Sequence, residues 1–342
     1  MRAFINGSGR CLPDRVVTNE ELAETLEVGS DRIYKSSGIK RRRWADPGTP
    51  TSALATCALQ HAIADANMDA NQIDYLLFGT MTPDRFVPGS ASAIQKRAGL
   101  KEIPCLDIRA ACCNGLYAMQ LACALIGSGA ANHVAICLAE IQSRYLDLSP
   151  ESALLSMLFG DGASALIVSA EPKLGAIEIL DVCLATDGGH ADDLGIRCPG
   201  TEFGPALPSH EHAADFRPRM IGQSVILHAS RRIVAVCRTL LERNKISSSE
   251  IRWIVPHQAN TNLLAQIARG LEFSRADGVV SVIGDFGNTS SASMGLALDE
   301  LRRTGRIEAG DYLLLPAFAA GFTWGAALCR AGYPTDALEK RS

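Results

Sequence analysis

Short apolar runs bounded by glycine, proline or acidic turns alternate along the chain with longer stretches whose apolar positions recur at helical spacing. Residues 3–7, 73–79, 105–108, 133–139 and 162–168 read as strands, and 51–67, 91–98 and 115–127 as helices between them. Thr18-Asn19-Glu20-Glu21 has a hydroxyl followed by two acids, the signature of a helix start, and Leu22 and Leu26 continue it at i, i+4. After about residue 171 the order begins again. A strand over 176–184 leads into a loop-rich stretch, 186–216, and a long helix, 222–243. A strand over 251–255, a helix to Gly270, a short strand over 279–283 and a helix to Arg303 follow. Residues 312–316 and 323–329 read as a closing hairpin. Alternation of strand and helix predicts parallel βαβ units around a covered sheet, an α/β fold. The repeated order predicts a duplicated unit, with halves at 1–170 and 171–334.

Composition narrows the class. The 342 residues suffice for one large domain or two fused ones, and 47% hydrophobic with only 6% aromatic residues predicts an Ala/Val/Leu/Ile core. A net charge of −4 leaves no nucleic-acid footprint. No apolar run approaches the ~20 residues that span a bilayer. The first residues run straight into a strand with no apolar leader, so no membrane association and a cytoplasmic location are expected. Eleven cysteines, odd in number and without a CxxC pair, predict reduced thiols. No GxGxxG follows the first strand and no Walker A is present, so no nucleotide cofactor is expected. His210-Glu211-His212 lacks a fourth ligand, and no metal is expected. Lys40-Arg41-Arg42-Arg43 reads as a solvated loop or a contact for an anionic partner. Arg217, Arg219, Arg231, Arg232, Arg238 and Arg243 read as a solvated helix face or a docking face for an acidic carrier protein.

Chemistry concentrates at three strand-to-helix junctions. Cys112 follows Arg109-Ala110-Ala111 and precedes an Ala/Leu/Met-rich helix. A cysteine at a helix start sits among amides without intrahelical partners, at the positive end of the dipole, which favours the thiolate. His257 lies in Pro256-His257-Gln258-Ala259-Asn260 after a strand, and Asn288 opens the third junction, Gly287-Asn288-Thr289-Ser290-Ser291-Ala292-Ser293. Alone, each has a plain structural explanation: a buried cysteine, a core histidine, a helix cap. Converging, they form a nucleophilic site in which two hydrogen-bond donors face developing negative charge.

Taken together, the Asp107-Ile108-Arg109-Ala110-Ala111-Cys112 run, the Pro-His-Gln-Ala-Asn run and the Gly-Asn-Thr-Ser-x-Ala-Ser run resemble β-ketoacyl-acyl carrier protein synthase III, of the thiolase superfamily. Leu12-Pro13, Thr82-Pro83-Asp84, Phe159-Gly160-Asp161-Gly162-Ala163 and Gly321-Phe322-Thr323-Trp324-Gly325 match in the same order. The resemblance implies a five-layered αβαβα fold of two pseudo-repeated halves and a homodimer. It also implies ping-pong chemistry without a cofactor. Cys112 takes an acyl group from a thioester of CoA or acyl carrier protein. A malonyl-type thioester then loses CO₂, and its carbanion attacks the acyl-cysteine. His257 and Asn288 stabilise the enolate, and the backbone N–H groups of Cys112 and Ala320 form the oxyanion hole. Val87, Phe159 and Phe318 fall at substrate-contacting positions, Phe318 beside the malonyl carboxylate.

Some positions depart from the family. Its CoA-clamping Trp and Arg correspond to Arg32 and Ser36, and two further basic CoA contacts to Ala153 and Asn262. A guanidinium at a phosphate contact is hard to replace, so a carrier-protein-bound donor fits better. Val87, before Pro88, stands for a bulky Phe that in the family reaches from the partner subunit into the acyl channel, and it predicts an acyl pocket longer or wider than acetyl needs. Cys113 and Asn114 replace a small residue and a Gly. A ketosynthase, an acyltransferase acting on oxygen or nitrogen, and a non-catalytic partner subunit all share this fold. The intact Cys/His/Asn set favours the first.

Overall fold

The computed structural model describes residues 2–203 and 215–332. The His210-Glu211-His212 cluster lies outside them. Nine strands build one mixed sheet: β1 (Ala3–Cys11), β2 (Tyr75–Gly79), β3 (Cys105–Ile108), β4 (His133–Glu140), β5 (Gly162–Ser169), β6 (Ile177–Thr186), β7 (Ile251–Ile254), β8 (Tyr312–Ala319) and β9 (Thr323–Ala331). Their spatial order is β7-β8-β9-β6-β1-β5-β4-β2-β3. The duplication is visible in this order. In each half the first strand, β1 or β6, lies antiparallel to the last, β5 or β9. The last lies antiparallel to β4 or β8, and these run parallel to β2 or β7. The two first strands join the halves, Ala3–Ile5 pairing with Ile177–Ile179.

The outermost strand is where the halves differ. β3 pairs with β2 over four residues, whereas the expected strand at 279–283 is a single parallel bridge, Ile254 to Val279, followed by a helical turn, Ile283–Phe286. The buried Gln258 side chain replaces a strand partner there: its Nε2 donates to the Val280 carbonyl at 3.1 Å and its Oε1 accepts from the Val282 N–H at 3.0 Å. That satisfies the backbone without a ladder.

Five helices matter for the site: α1 (Thr51–Asp65), α2 (Asn114–Gly127), α3 (Gly222–Asn244), α4 (Thr261–Gly270) and α5 (Ser293–Arg303). Strand side chains alternate between faces, and the core follows that period. Ala135, Cys137, Ala163, Ala165 and Ile167 pack with α1 residues such as Ala58 and Leu59. Ile136, Leu138, Leu166 and Val168 face the other way, onto Leu116 and Met119 of α2 and Leu296 and Leu298 of α5. Leu313, Leu315 and Ala317 of β8 cover the same two helices from the opposite side. Leu314 and Leu328 point outward against Ile233, Cys237 and Leu240 of α3 and Ile267 of α4. The layers are therefore helix, sheet, helix, sheet, helix, with α2 and α5 in the middle. Among the described residues no helix is long and apolar enough to cross a membrane.

The starts of α2 and α5 are twins. Each is preceded by a 3₁₀ turn, Ala111–Cys113 and Ser290–Ala292. Each turn opens on a non-glycine residue in the left-handed region, Ala111 and Ser290, both at φ +48°. Such a residue costs about 1–2 kcal/mol, so the surrounding contacts hold both turns in place.

Candidate active site

Cys112 is half-buried in the first of these turns, two residues before α2 begins. The turn is braced from within, because Asn114 Oδ1 accepts from the Ala110 N–H. Room for Asn114 comes from β2, where a Cβ on Gly79 would lie 2.5 Å from the Asn114 Cβ. The expected thiolate at a helix start is not what the surroundings favour. Burial pushes the Cys112 thiol up to about 11, the Ser290 hydroxyl at 3.4 Å pulls it down, and the buried Glu140 pushes it up again. Desolvation in this setting outweighs what the start of α2 offers a negative sulfur.

Asn288 is fixed at both ends of its peptide: its N–H donates to Leu158 O at 2.8 Å and its carbonyl accepts from Gly160 N at 3.1 Å. Phe159 forms the bridge between these contacts. Gly160 is required here, since a Cβ would fall 2.2 Å from the Phe286 carbonyl. The Asn288 side chain is 6% exposed, and its Oδ1 accepts from the Ser290 N–H at 2.9 Å. With the oxygen occupied, Nδ2–H is the group left to donate.

His257 follows β7 and donates its backbone N–H to Pro316 O at 2.9 Å. Its Nδ1 lies 2.6 Å from Ser293 Oγ, which also accepts from the Gln258 N–H at 3.1 Å. Ser293 is 1% exposed and, among the described residues, no carbonyl accepts from its hydroxyl. The hydroxyl proton is therefore donated to Nδ1, which assigns the Nε2–H tautomer to a neutral imidazole. Burial holds His257 down at about 4, so it stays neutral at physiological pH. A neutral ring with one committed nitrogen presents a single N–H donor.

The 288–293 turn ties these groups together: Ser290 contacts the Cys112 sulfur, Asn288 anchors Ser290, and Ser293 holds His257. Beside Cys112 and Ser290 lies a cavity of about 460 Å³, mostly apolar, lined by Met81, Phe86, Leu155, Phe159, Ile196 and Ala320 among others. Of the positions expected to contact substrate, Phe159 lines this cavity and Phe318 does not. Phe318 is 5% exposed and packs on Phe322 at 4.8 Å between ring centres. Val87 lies outside this chain's own cavity, 74% exposed, as a position expected to reach into a partner subunit's channel would be. Glu140, Ser290 and Ser293 escaped the sequence reading. The signal for the two serines was present, one helical turn apart inside the Asn288 run. Glu140 gave none, being one acid at the end of an apolar strand.

Other expected features resolve differently. Lys40–Arg43 is not simply a solvated loop: Arg41–Arg43 is a short strand on Val16–Thr18, and the fully buried Arg42 donates to Asn19 Oδ1 and the Met157 carbonyl. On the basic face, Arg217, Arg232 and Arg243 pair with Asp147, Asp187 and Asp181. At the positions of the family's CoA contacts, Asn262 Nδ2 donates to the Ser36 carbonyl at 3.2 Å and Ala153 is buried.

Comparison with known proteins identifies the family. Residues 106–188 match the family 3-oxoacyl-[acyl-carrier-protein] synthase III and 241–331 its C-terminal counterpart. The chain is 39% identical over 333 residues to the β-ketoacyl-[acyl-carrier-protein] synthase III of Rhodospirillum rubrum, covering 96% of this chain and 99% of that one. It is 35% identical over 329 residues to that of Chlamydia caviae, covering 96% and 97%. The crystal structure of 3-oxoacyl-[acyl-carrier-protein] synthase III from Aquifex aeolicus superposes with a TM-score of 0.87 at 31% identity, over 96% of this chain and 99% of the other. The priming β-ketosynthase of the R1128 polyketide pathway superposes at 0.84 and 29% identity, over 97% of both. The chain belongs to the β-ketoacyl-acyl carrier protein synthase III family.

Proposed function

We propose that this protein loads an acyl group on Cys112 and condenses it with a malonyl-type thioester, probed as malonyl-acyl carrier protein, with loss of CO₂. In loading, the sulfur attacks the donor thioester and the donor leaves as a free thiol. The amide N–H groups of Cys112 and Ala320 take the oxyanion. In condensation, the carboxylate leaves as CO₂ and the electron pair moves onto the thioester, whose oxygen becomes an enolate. His257 Nε2–H and Asn288 Nδ2–H donate to that oxygen. The carbanion attacks the acyl carbon and expels Cys112.

One observation carries this reading. His257 and Asn288 each have their acceptor atom engaged, which leaves neutral donors, the chemistry an enolate needs and a base does not. The functional halves are residues 1–170 and 171–334. A carrier-protein-bound donor is favoured, because Ser36 and Asn262 bond to each other and Ala153 is buried where CoA would need cations. A homodimer is supported by the open edge of β3 and by the exposure of Leu106, Leu121 and Val87. All eleven cysteines are free, in keeping with a cytoplasmic location.

The test is incubation with malonyl-acyl carrier protein and a panel of acyl-CoA and acyl-carrier-protein donors, following Cys112 acylation and product mass. A new C–C bond with CO₂ release is expected. Acyl transfer to oxygen or nitrogen without CO₂ loss, or no acylation, refutes the reading.

A further inference from the structure

Among the described residues the cysteine sulfur has one side-chain hydrogen-bond partner, and it is neither His257 nor Asn288. Ser290 Oγ lies 3.4 Å from Cys112 Sγ, within range for a bond to sulfur, and no other partner engages that hydroxyl among the described residues. Ser290 is 3% exposed and lines the cavity with Cys112. Its backbone is held in the left-handed region at φ +48°, with its N–H fixed by Asn288 Oδ1 at 2.9 Å. A serine in that conformation is costly. The Asn288 contact holds its backbone there, and the result aims one hydroxyl at one sulfur.

The alternatives for steadying a thiolate are few. The helix α2 begins two residues beyond Cys112, and His257 has its Nδ1 engaged by Ser293 and its Nε2 protonated. Glu140 is a buried carboxyl that disfavours negative charge on the sulfur. The Cys112 backbone N–H lowers the thiol to a smaller extent, and among the described residues the Ser290 O–H is the side-chain donor in contact.

We propose that Ser290 is a catalytic residue of the loading step, its hydroxyl donating a hydrogen bond to the Cys112 thiolate as that sulfur attacks the acyl donor. The S–C bond to the acyl group forms and the donor's C–S bond breaks. The proton lost from Cys112 passes through solvent to the departing thiol, and Ser290 keeps its own. Once the acyl-cysteine forms, the sulfur no longer carries charge and the bond weakens, so Ser290 acts on loading and not on decarboxylation. This role rests on the ketosynthase reading for its substrate, but not for its readout.

The experiment is iodoacetamide alkylation of the intact protein as a function of pH, with Cys112 followed by peptide mass mapping among the eleven cysteines. Hydrogen bonds to charged groups are worth enough that Ser290→Ala is expected to raise the Cys112 alkylation midpoint by about one pH unit and slow alkylation at neutral pH about tenfold. Ser290→Gly relieves the backbone strain and also lacks the hydroxyl, and it is expected to match Ser290→Ala. It also serves if the alanine variant does not fold. Midpoints in the folded variants equal to the parent's overturn the proposal, whatever thioester the protein accepts. A glycine variant restored to parental behaviour overturns it too, because backbone strain would then be the cause.

Discussion

Asn288 joins two tasks that a single substitution can separate. Its Nδ2–H is the donor assigned to the enolate, and its Oδ1 holds the Ser290 N–H at 2.9 Å. Asn288→Asp keeps an acceptor for Ser290 and removes the donor. Losing one such donor costs about 10²–10³ in rate, and a carboxylate there also repels the enolate, so decarboxylation is expected to fall by about 10²-fold or more. Loading is expected to stay near the parent's. Asn288→Ala removes both functions. It strands a buried N–H, worth about 1–3 kcal/mol, on the strained residue that touches the sulfur, so loading falls as well. Rapid-quench intact mass measures acyl-Cys112, and CO₂ release from malonyl-acyl carrier protein by the pre-acylated protein measures the second step. Burial also raises the new carboxyl's pKa, so the aspartate variant's deficit narrows as pH falls and an O–H donor returns. Equal loss of loading and decarboxylation in Asn288→Asp refutes the separation. Parental loading in Asn288→Ala refutes the anchoring of Ser290.

Two further expectations follow from the buried polar groups. Ser293→Ala frees His257 Nδ1 and leaves the Gln258 N–H without its acceptor, so decarboxylation is expected to slow about tenfold with loading unchanged. Imidazole nitrogen NMR of the parent checks the premise, since an Nδ1–H signal there contradicts the assignment. The second concerns stability. Burial lowers His257 from 6.5 to about 4, so the unfolded chain binds the extra proton and stability rises with pH across that window. Burial raises Glu140 from 4.5 to about 7, so the folded chain binds the extra proton and stability falls across its window. The two slopes oppose each other where the windows overlap. Glu140→Gln removes the second, and its stability relative to the parent in urea unfolding is expected to rise by about 3 kcal/mol from pH 4.5 to 7. A pH-independent difference shows that Glu140 does not titrate in that range.

Much of the fold was legible because periodicity reports burial. Strands such as 133–139 are apolar on both faces, and both faces are covered, by α1 on one side and by α2 and α5 on the other. The strand expected at 279–283 misled for a definite reason. Its apolar residues are buried as a strand's are, but Gln258, far off in sequence, supplies the hydrogen bonds that a neighbouring strand supplies elsewhere. Cys112, His257 and Asn288 were legible as motifs because each combines an unusual residue with a strand-to-helix junction. The ionisation of Cys112 was not. A helix start argues for a thiolate only when its amides outweigh desolvation, and that balance depends on Glu140 and Ser290, 28 and 178 positions away. Phe318 matches the family's aromatic and Val87 departs from its Phe, yet where either lies relative to the cavity depends on tertiary packing that residue patterns do not encode.

The twin turns give the scaffold a remote control over the shape of its own reaction chamber. The residue after the left-handed position is Cys112 in one turn and Ser291 in the other. Ser291 donates to Glu140 at 2.6 Å, and Glu140 in turn accepts from the Met81 N–H and, at 2.9 Å, from Thr82 Oγ. Met81 and Thr82 are part of the chamber wall. One member of the pair is thus the proposed nucleophile, while its counterpart acts as a buttress. Substitutions at the buttress are therefore expected to reshape the chamber wall and, through Glu140, to shift the charge felt by the Cys112 sulfur as well.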